Sequence, residues 1–397
     1  MTPVELLHVA FRDARPVGRL ALVDRRILFE FDPSFLADPL PLSPAQLPVR
    51  PGVHEEAKHT FDGLFGVFDD SLPDGWGRLL LDREMARRGF GRRSLTVLDR
   101  LAFVGSEGAG ALTYRPAWKE ARPTVVELGA LAAEARQVLD GDAISVFPAL
   151  LAAGSSGGAR PKVALWLRPE NGAVSVGMPR PGYVPALVKF ANRGDPVDVG
   201  AMEAAYMAMA RRAGIHTSRT WLVGAGRSGP GWFATERFDR EPRIHVHTAC
   251  GLLHADHRVP SLDYEDLLKT VRWLTRDQRD VDQMFRRMVF NVLAHNRDDH
   301  SRNFAFQMSD KGAWRLAPAY DLTFSSGPGG EHWMTVAGQG KDPGAPEMQV
   351  LAERVGVLNA TRIVDEVRAA VASWPAVAAE VGLTKATTRR VAAVIGR

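Results

Sequence analysis

The chain has 397 residues, 45% hydrophobic and 24% charged, which excludes a disordered polymer and suits two domains or one large two-lobed one. The net charge is only +4, from 42 Arg and 8 Lys against 46 acids, too thin over so large a surface for a nucleic-acid footprint. A single cysteine, Cys250, excludes an internal disulfide, and no apolar run approaches the ~18 residues of a membrane span; "MTPVELLHVAFRDAR" reads as no export signal, so a cytoplasmic protein is expected.

In chain order, "LLHVAF", "VGRLAL" and "RILFEF" are short apolar runs separated by turn residues, so residues 1–120 are expected to form a β-rich N-terminal subdomain. "LADPLPLSPAQLPVRPG" is Pro-rich and reads as irregular, and "LPDGWGRLLLDREMARRG" as a turn entering a helix. "TVVELGALAAEARQVLDG" sets Thr124 and Glu127 at capping-box spacing and ends near Gly141, which predicts a connecting helix within 121–145. A sheet-rich lobe is expected over 146–240. There "PKVALWLRPENGAVSVGM" reads as two strands joined through Asn171-Gly172, "PALVKF" as a third, and "RTWLVG" and "WFATERFDR" as two more. Between them Met202, Tyr206, Met209, Ala210 and Ala213 share one face of a helix. Residues 241–397 read as a helical lobe.

The densest polar cluster, "HNRDDHSRN" at 295–303, follows a strongly periodic helix. Val281, Met284, Phe285, Met288, Val289, Val292 and Leu293 fall on one face, with Thr275 and Gln278 spaced to cap its start. After the cluster, "FAFQM", "SDKG" and "AWRLAPAYD" read as a hairpin, which returns Asp321 to the neighbourhood of Asn303 and Asp298. Asp298 and Asn303 have the D-x-x-x-x-N spacing of a protein-kinase catalytic loop, and Asp321 takes the place of a second metal-binding Asp beyond the hairpin. Upstream, Gly154, Gly157 and Gly158 in "AAGSSGGARPKVAL" could bring backbone N–H groups to a phosphate, with Lys162 adding charge. Lys189 on a strand, followed by Glu203 on a helix, repeats the ion-pair order of a kinase nucleotide lobe, and Glu236 to Phe238 lie where such a chain passes between its lobes.

Two other patterns point elsewhere. Gly154, Ser156 and Gly158 spell a hydrolase elbow, but that motif needs a helix to follow and here a strand does. His245, His247, Cys250, His254 and His257 cluster without any standard zinc spacing, so structural roles are expected for them.

Taken together, "DSLPDGWGR", "VGSEGAGALTY", "GSSGGARPK", "LVKF", "ERFDR", "NRDDHSRN" and "PAYDLT" resemble, in order, the HipA family of serine/threonine kinases, toxins of type II toxin–antitoxin systems. The resemblance implies an α+β, two-lobed protein-kinase-like fold with a β-rich N-terminal subdomain, using ATP and Mg²⁺. It implies Asp298 as catalytic base, Asn303 and Asp321 as Mg²⁺ ligands, and Lys189 on the phosphates. Gly157, Gly158, Ala159, Arg160, Pro161 and Lys162 would form the nucleotide loop. Glu236, Arg237 and Phe238 would meet the adenine end, with His300, Ser301, Arg302, Asn303, Tyr320 and Asp321 lining the rest. Ser155 stands where relatives carry a self-phosphorylated serine that silences the kinase, although Arg160-Pro161 replaces a common Gln-Glu in that loop. Asp299 stands where other members have Gly. The implied partners are a HipB-like helix-turn-helix antitoxin, operator DNA mainly through that antitoxin, and a protein substrate such as an aminoacyl-tRNA synthetase. A non-catalytic co-repressor and a small-molecule kinase stay open as alternatives.

Overall fold

The computed structural model describes residues 3–58, 60–90, 95–118, 124–141, 150, 158, 160–177, 179–224 and 230–396. Ser155, Gly157 and Ala159 lie outside the described residues. The described chain is mixed α and β, with three antiparallel sheets followed by a helical region. No helix among the described residues is long and apolar enough to cross a membrane.

The first sheet has the order β4-β3-β2-β1-β5, from β1 (Leu6–Phe11), β2 (Arg15–Val23), β3 (Arg26–Phe31), β4 (Val53–Glu55) and β5 (Leu112–Arg115). Leu7, Val9 and Phe11 of β1 point inward and alternate with more exposed residues, the period of a sheet packed on one face. Between β3 and β5 come α1 (Pro33–Ala37), α2 (Gly66–Asp69), α3 (Gly75–Arg87) and α4 (Val97–Val104).

The second sheet runs β10-β11-β9-β7-β8-β6, built from β6 (Thr124–Val126), β7 (Lys162–Arg168), β8 (Ala173–Val176), β9 (Val184–Lys189), β10 (Thr220–Val223) and β11 (Trp232–Glu236). The capping box expected at Thr124 and Glu127 does not form. Thr124 pairs with Val176 in the sheet, because the run Thr124-Val125-Val126 is β-branched throughout, and helix α5 starts only at Leu128 (Leu128–Asp140). The segment read as a connector therefore contributes a strand to this sheet, and Leu128, Leu131, Ala135 and Val138 of α5 pack on it. Helix α6 (Val199–Arg212) follows β9.

The third sheet, β12-β13-β14, joins β12 (His245–Thr248) to a hairpin of β13 (Ala305–Met308) and β14 (Trp314–Leu316). The helices are α7 (Ala249–Leu253), α8 (Tyr264–Thr275), α9 (Gln278–Leu293), α10 (Ala345–Val355), α11 (Ala360–Ala372), α12 (Trp374–Glu380) and α13 (Lys385–Ala392).

Apolar packing does not follow the order of the chain. One buried cluster is shared by the N-terminal sheet (Leu7, Phe29), α2 (Phe68), α6 (Tyr206) and the helical region (Phe285, Trp374). A second holds the second sheet (Val163, Leu165, Val188), α5, and Trp76 and Leu80 of α3. The N-terminal part docks closely on the helical region where α2 crosses α7. A Cβ at Gly66 would lie 2.1 Å from the Gly251 carbonyl oxygen, so the crossing admits only glycine. Helix α6 is moored to the helical region at three levels. Asp198 accepts from Thr384 N and Thr387 Oγ1, both at 3.0 Å; Tyr206 Oη donates to Ala294 O at 2.7 Å; Arg212 pairs with Glu380 at 2.6 Å.

Candidate active site

Helix α9 carries the polar loop. Val281, Met284, Phe285, Met288, Val289, Val292 and Leu293 are all buried, as their spacing requires. Its cap is Asp277, which accepts from Arg279 N at 2.9 Å. Thr275 cannot serve, because it ends α8 and donates its hydroxyl to Val271 O at 2.9 Å. Past Ala294, His295 turns the chain with φ +51° and Asn296 folds back, its amide donating to Asn291 Oδ1 at 2.9 Å.

Two adjacent acids then part company. Asp299 is wholly buried and accepts from Tyr264 Oη at 2.8 Å and Trp333 N at 2.9 Å, with His332 Nδ1 2.8 Å away. Asn291 donates to Tyr264 Oη at 2.9 Å, so the network reaches back into α9. Asp299 is thus an anchor beneath the loop. Asp298 faces the other way, its side chain 53% exposed at the wall of a cavity of about 620 Å³. Burial raises its pKa, and repulsion from Asp321 and Asp299 adds to this, against the pull of His300. A carboxyl shifted toward neutrality is better matched to taking a proton than an ordinary aspartate.

The hairpin pairs Phe306 with Leu316 and Met308 with Trp314, and Arg287 of α9 donates to Ala317 O at 2.6 Å beyond it. It brings Asp321 to the same cavity wall as Asp298. Asp321 is held at φ +56°, a left-handed backbone that an Asp tolerates at some cost and that aims its carboxylate across the cleft. There its Oδ1 meets Lys189 Nζ at 2.6 Å, and Glu203 holds the same ammonium from α6. Burial would raise the Asp321 pKa, but Lys189 and Lys162 outweigh it and keep the carboxyl well below the usual range. Lys189 is driven the other way, above its ordinary value, because Asp321 and Glu203 overcome its burial. Lys162 lies opposite Lys189 in the β7–β9 register, so two buried lysines face one site.

Asn303 donates its side-chain amide to Asp298 O at 2.7 Å, which leaves the amide oxygen as its metal-capable atom. With the Asp321 carboxylate, that is a set of hard oxygen donors suited to Mg²⁺. Gly158 has φ +105°, and a Cβ there would lie 2.3 Å from Lys162 Nζ, so the chain passes the lysine where a side chain would intrude. The residues present fit a Mg·nucleotide.

A second, mostly apolar cavity of about 180 Å³ adjoins the first and shares Asp74, Gly158, Lys162, Lys189, His300, Arg302 and Asp321 with it. Leu187, Phe238, Val246 and Tyr320 are among its walls. Phe238 and Tyr320 stack with centroids 6.1 Å apart, and Tyr320 Oη donates to Arg302 O at 2.7 Å. Glu236 and Arg237 line it too, but their charges are spent on Arg219 at 2.8 Å and Asp239 at 2.7 Å. Arg160 reaches the larger cavity while bonded to Asp195 at 3.3 Å.

Two residues read as lining the site lie elsewhere. Ser301 is buried, its hydroxyl turned to Ala255 O at 2.8 Å. Pro161 is buried at the start of the strand pairing, where its carbonyl accepts from Phe190 N at 2.8 Å. Conversely, the spacing of the motifs missed Asp69 and Asp74. These N-terminal acids hold the guanidinium of Arg302, with Asp74 at 2.9 Å. Their acidic run, "FDDSLPD", overlaps the "DSLPDGWGR" of the family resemblance, which gave them no role, and lies more than two hundred residues from the loop it meets.

His245, His247, Cys250, His254 and His257 do not gather around a common point; among the described residues no three His, Cys, Asp or Glu side chains are grouped to hold a metal. His247 instead bonds Asp70 at 2.6 Å and Ser43 at 3.0 Å. That order of atoms copies a hydrolase triad, but Ser43 is fully buried and no substrate could reach it.

The geometry agrees with comparison to known proteins. Residues 7–115 match the HipA N-terminal domain and residues 154–374 the HipA-like C-terminal domain. A putative kinase of Sinorhizobium fredii (strain NBRC 101917 / NGR234), Y4mE, is 29% identical over 355 residues, covering 80% of this chain and 77% of that protein. A second from the same organism, Y4dM, is 29% identical over 134 residues, and the chain spans only 32% of its length. Among solved structures, HipA in the Shewanella oneidensis MR-1 complex with HipB and operator DNA superposes with a TM-score of 0.72 at 18% identity, covering 98% of this chain and 94% of that one. The overall fold is therefore that of HipA, and with the C-terminal match alone exceeding half its length, the chain belongs to the HipA family.

Proposed function

We propose that this protein is an ATP- and Mg²⁺-dependent serine/threonine protein kinase, the toxin of a HipA/HipB-like pair. The observation that carries the reading is the convergence on Lys189: Glu203 from a helix and Asp321 from beyond the hairpin, with Asp298 and Asn303 across the same cleft. Lys189 and Lys162 bind the nucleotide phosphates, and the apolar slot beside Phe238 and Tyr320 takes the base. Asn303 and Asp321 hold Mg²⁺, which supplies charge neutralisation on the transferring phosphoryl group. Asp298 accepts the hydrogen of the attacking hydroxyl and aims its oxygen in line with the bond that breaks, so the acceleration comes from positioning and electrostatics.

The finer assignments rest on family resemblance. They are self-phosphorylation on Ser155, a translation-related substrate such as an aminoacyl-tRNA synthetase, and a helix-turn-helix antitoxin that brings operator DNA. The antitoxin is supported by the HipB and DNA present with the Shewanella oneidensis protein.

Intact-mass and peptide mass spectrometry after incubation with Mg·ATP tests the core of this reading, beside Asp298→Asn and Asp321→Asn. Phosphate on the wild type alone is the expected result, with Asp298→Asn still binding Mg·ATP and Asp321→Asn binding it weakly. Normal transfer by Asp298→Asn would overturn the assignment of the base. A wild type that neither binds Mg·ATP nor transfers phosphate would leave a non-catalytic co-repressor as the better account.

A further inference from the structure

Asp74 makes contacts that no motif for phosphoryl transfer requires. It stands at the start of α3, in the N-terminal part of the chain, where its carboxylate makes no capping bond to its own helix. Its Oδ1 instead accepts from the backbone N–H of Gly158, at the glycine-rich edge of the nucleotide site. Its Oδ2 accepts from Arg302 at 2.9 Å, one residue before the metal-binding Asn303. Beyond Asp74, Trp76 N donates to Gly158 O at 3.2 Å, so Gly158 is held through both its backbone groups. On the other side Asp69 shares the Arg302 guanidinium, and His257 Nε2 lies 3.6 Å from Asp74 Oδ2. The carboxylate lines both cavities. Burial works against its ionisation, but Arg302 and the Gly158 bond hold it below the usual carboxylate range, so it is charged where it stands.

We infer that Asp74 is a positioning residue for phosphoryl transfer, one carboxylate that fixes the distance between the nucleotide-binding edge and the catalytic loop. The inference rests on the kinase reading above. The two oxygens divide the work. The Oδ1 bond sets the backbone against which phosphates are bound, and so acts on nucleotide affinity. The Oδ2 bond fixes Arg302, whose backbone carbonyl is held by Tyr320 and whose neighbour is Asn303, and so acts on the geometry of the reacting atoms. Arg302 itself is occupied by two carboxylates and serves here as a strut between domains. A misplacement of about 1 Å among such groups can cost two orders of magnitude in rate.

The variants separate the two halves. In Asp74→Asn the side-chain oxygen can still accept from Gly158, but its NH₂ faces the guanidinium and the ion pair is lost. In Asp74→Ala both bonds go. The measurement is ADP formation from Mg·ATP, with Mg·ATP affinity by calorimetry and thermal melting of each variant. Asp74→Asn is expected to lower kcat at least tenfold with KM for ATP changed less than threefold. Asp74→Ala is expected to lower kcat and also raise KM several-fold. On an Arg302→Met background, Asp74→Asn is expected to cost little more, because the two residues act as a unit. Unchanged kcat and KM in both Asp74 variants, with an active wild type, would overturn the proposal and leave the kinase reading intact. So would a loss confined to melting temperature, or a full additive loss in the double variant. A wild type that binds no Mg·ATP overturns the kinase reading and this proposal with it.

Discussion

Asp298 and Asp299 are neighbours with opposite duties, and substitution should tell them apart. Asp299→Asn keeps the shape but sets an NH₂ group against donors that now share one carboxylate, Tyr264 Oη and Trp333 N. It is expected to destabilise the fold by about 2–4 kcal/mol, the range for breaking a buried charged hydrogen-bond network, as read from urea unfolding. Asp298→Asn touches an exposed carboxyl and is expected to change stability by less than about 0.5 kcal/mol while phosphate transfer is lost. At His245 the prediction concerns pH. The ring is fully enclosed and bonds Leu42 O at 2.9 Å, and burial lowers its pKa from 6.5 to about 4. It stays neutral in the folded protein while the unfolded chain takes up a proton near 6.5. Its contribution is therefore complete above pH 6.5 and is lost as pH falls from there to about 4, by at most ~3 kcal/mol. Urea midpoints at pH 7 and pH 4.5 should fall further apart for the wild type than for His245→Phe.

At the scale of elements, the crossing of α2 over α7 is a tight joint between distant parts of the chain. Gly66→Ala drives a methyl into the Gly251 carbonyl, and neither backbone has room to yield without the helices separating. A loss of about 1–3 kcal/mol is expected, together with faster proteolysis of the N-terminal sheet; an unchanged digestion pattern would show that the joint relaxes. Elements also mark where sequence reading succeeds. The period of α9 and the turn after Met308 were legible because each is dictated by residues within a few turns of one another. From those two elements came the meeting of Asp298, Asn303 and Asp321. Lys189 and Glu203 were legible as a lone charge on an apolar strand and an acid on the next helix. Three features were not. Thr124 went to a strand because a partner, β8, was available some fifty residues away. Ser301 turned inward because Ala255 O needed a donor. Asp69 and Asp74 joined the site across more than two hundred residues, through a packing of domains that no local pattern encodes.

For the molecule as a whole, the second sheet keeps its buried apolar residues in a cluster of its own, apart from Phe233 of β11, which joins the cluster that includes α6. Differential scanning calorimetry is expected to resolve two transitions, one for the nucleotide-side sheet and one for the body that joins the N-terminal sheet to the helical region. A single transition with equal calorimetric and van't Hoff enthalpies would show that the cleft couples them fully. Lys189 belongs to the second cluster's sheet and Glu203 to a helix packed in the first, so their ion pair is a weld between two bodies. Helix α6 is bolted at its start, its middle and its end to the part that carries the catalytic loop. A switch that works by swinging this helix outward, carrying Glu203 away from the lysine, would have to undo all three fastenings at once. Glu203 is therefore a fixed post for the lysine, held by the same body that carries the polar loop.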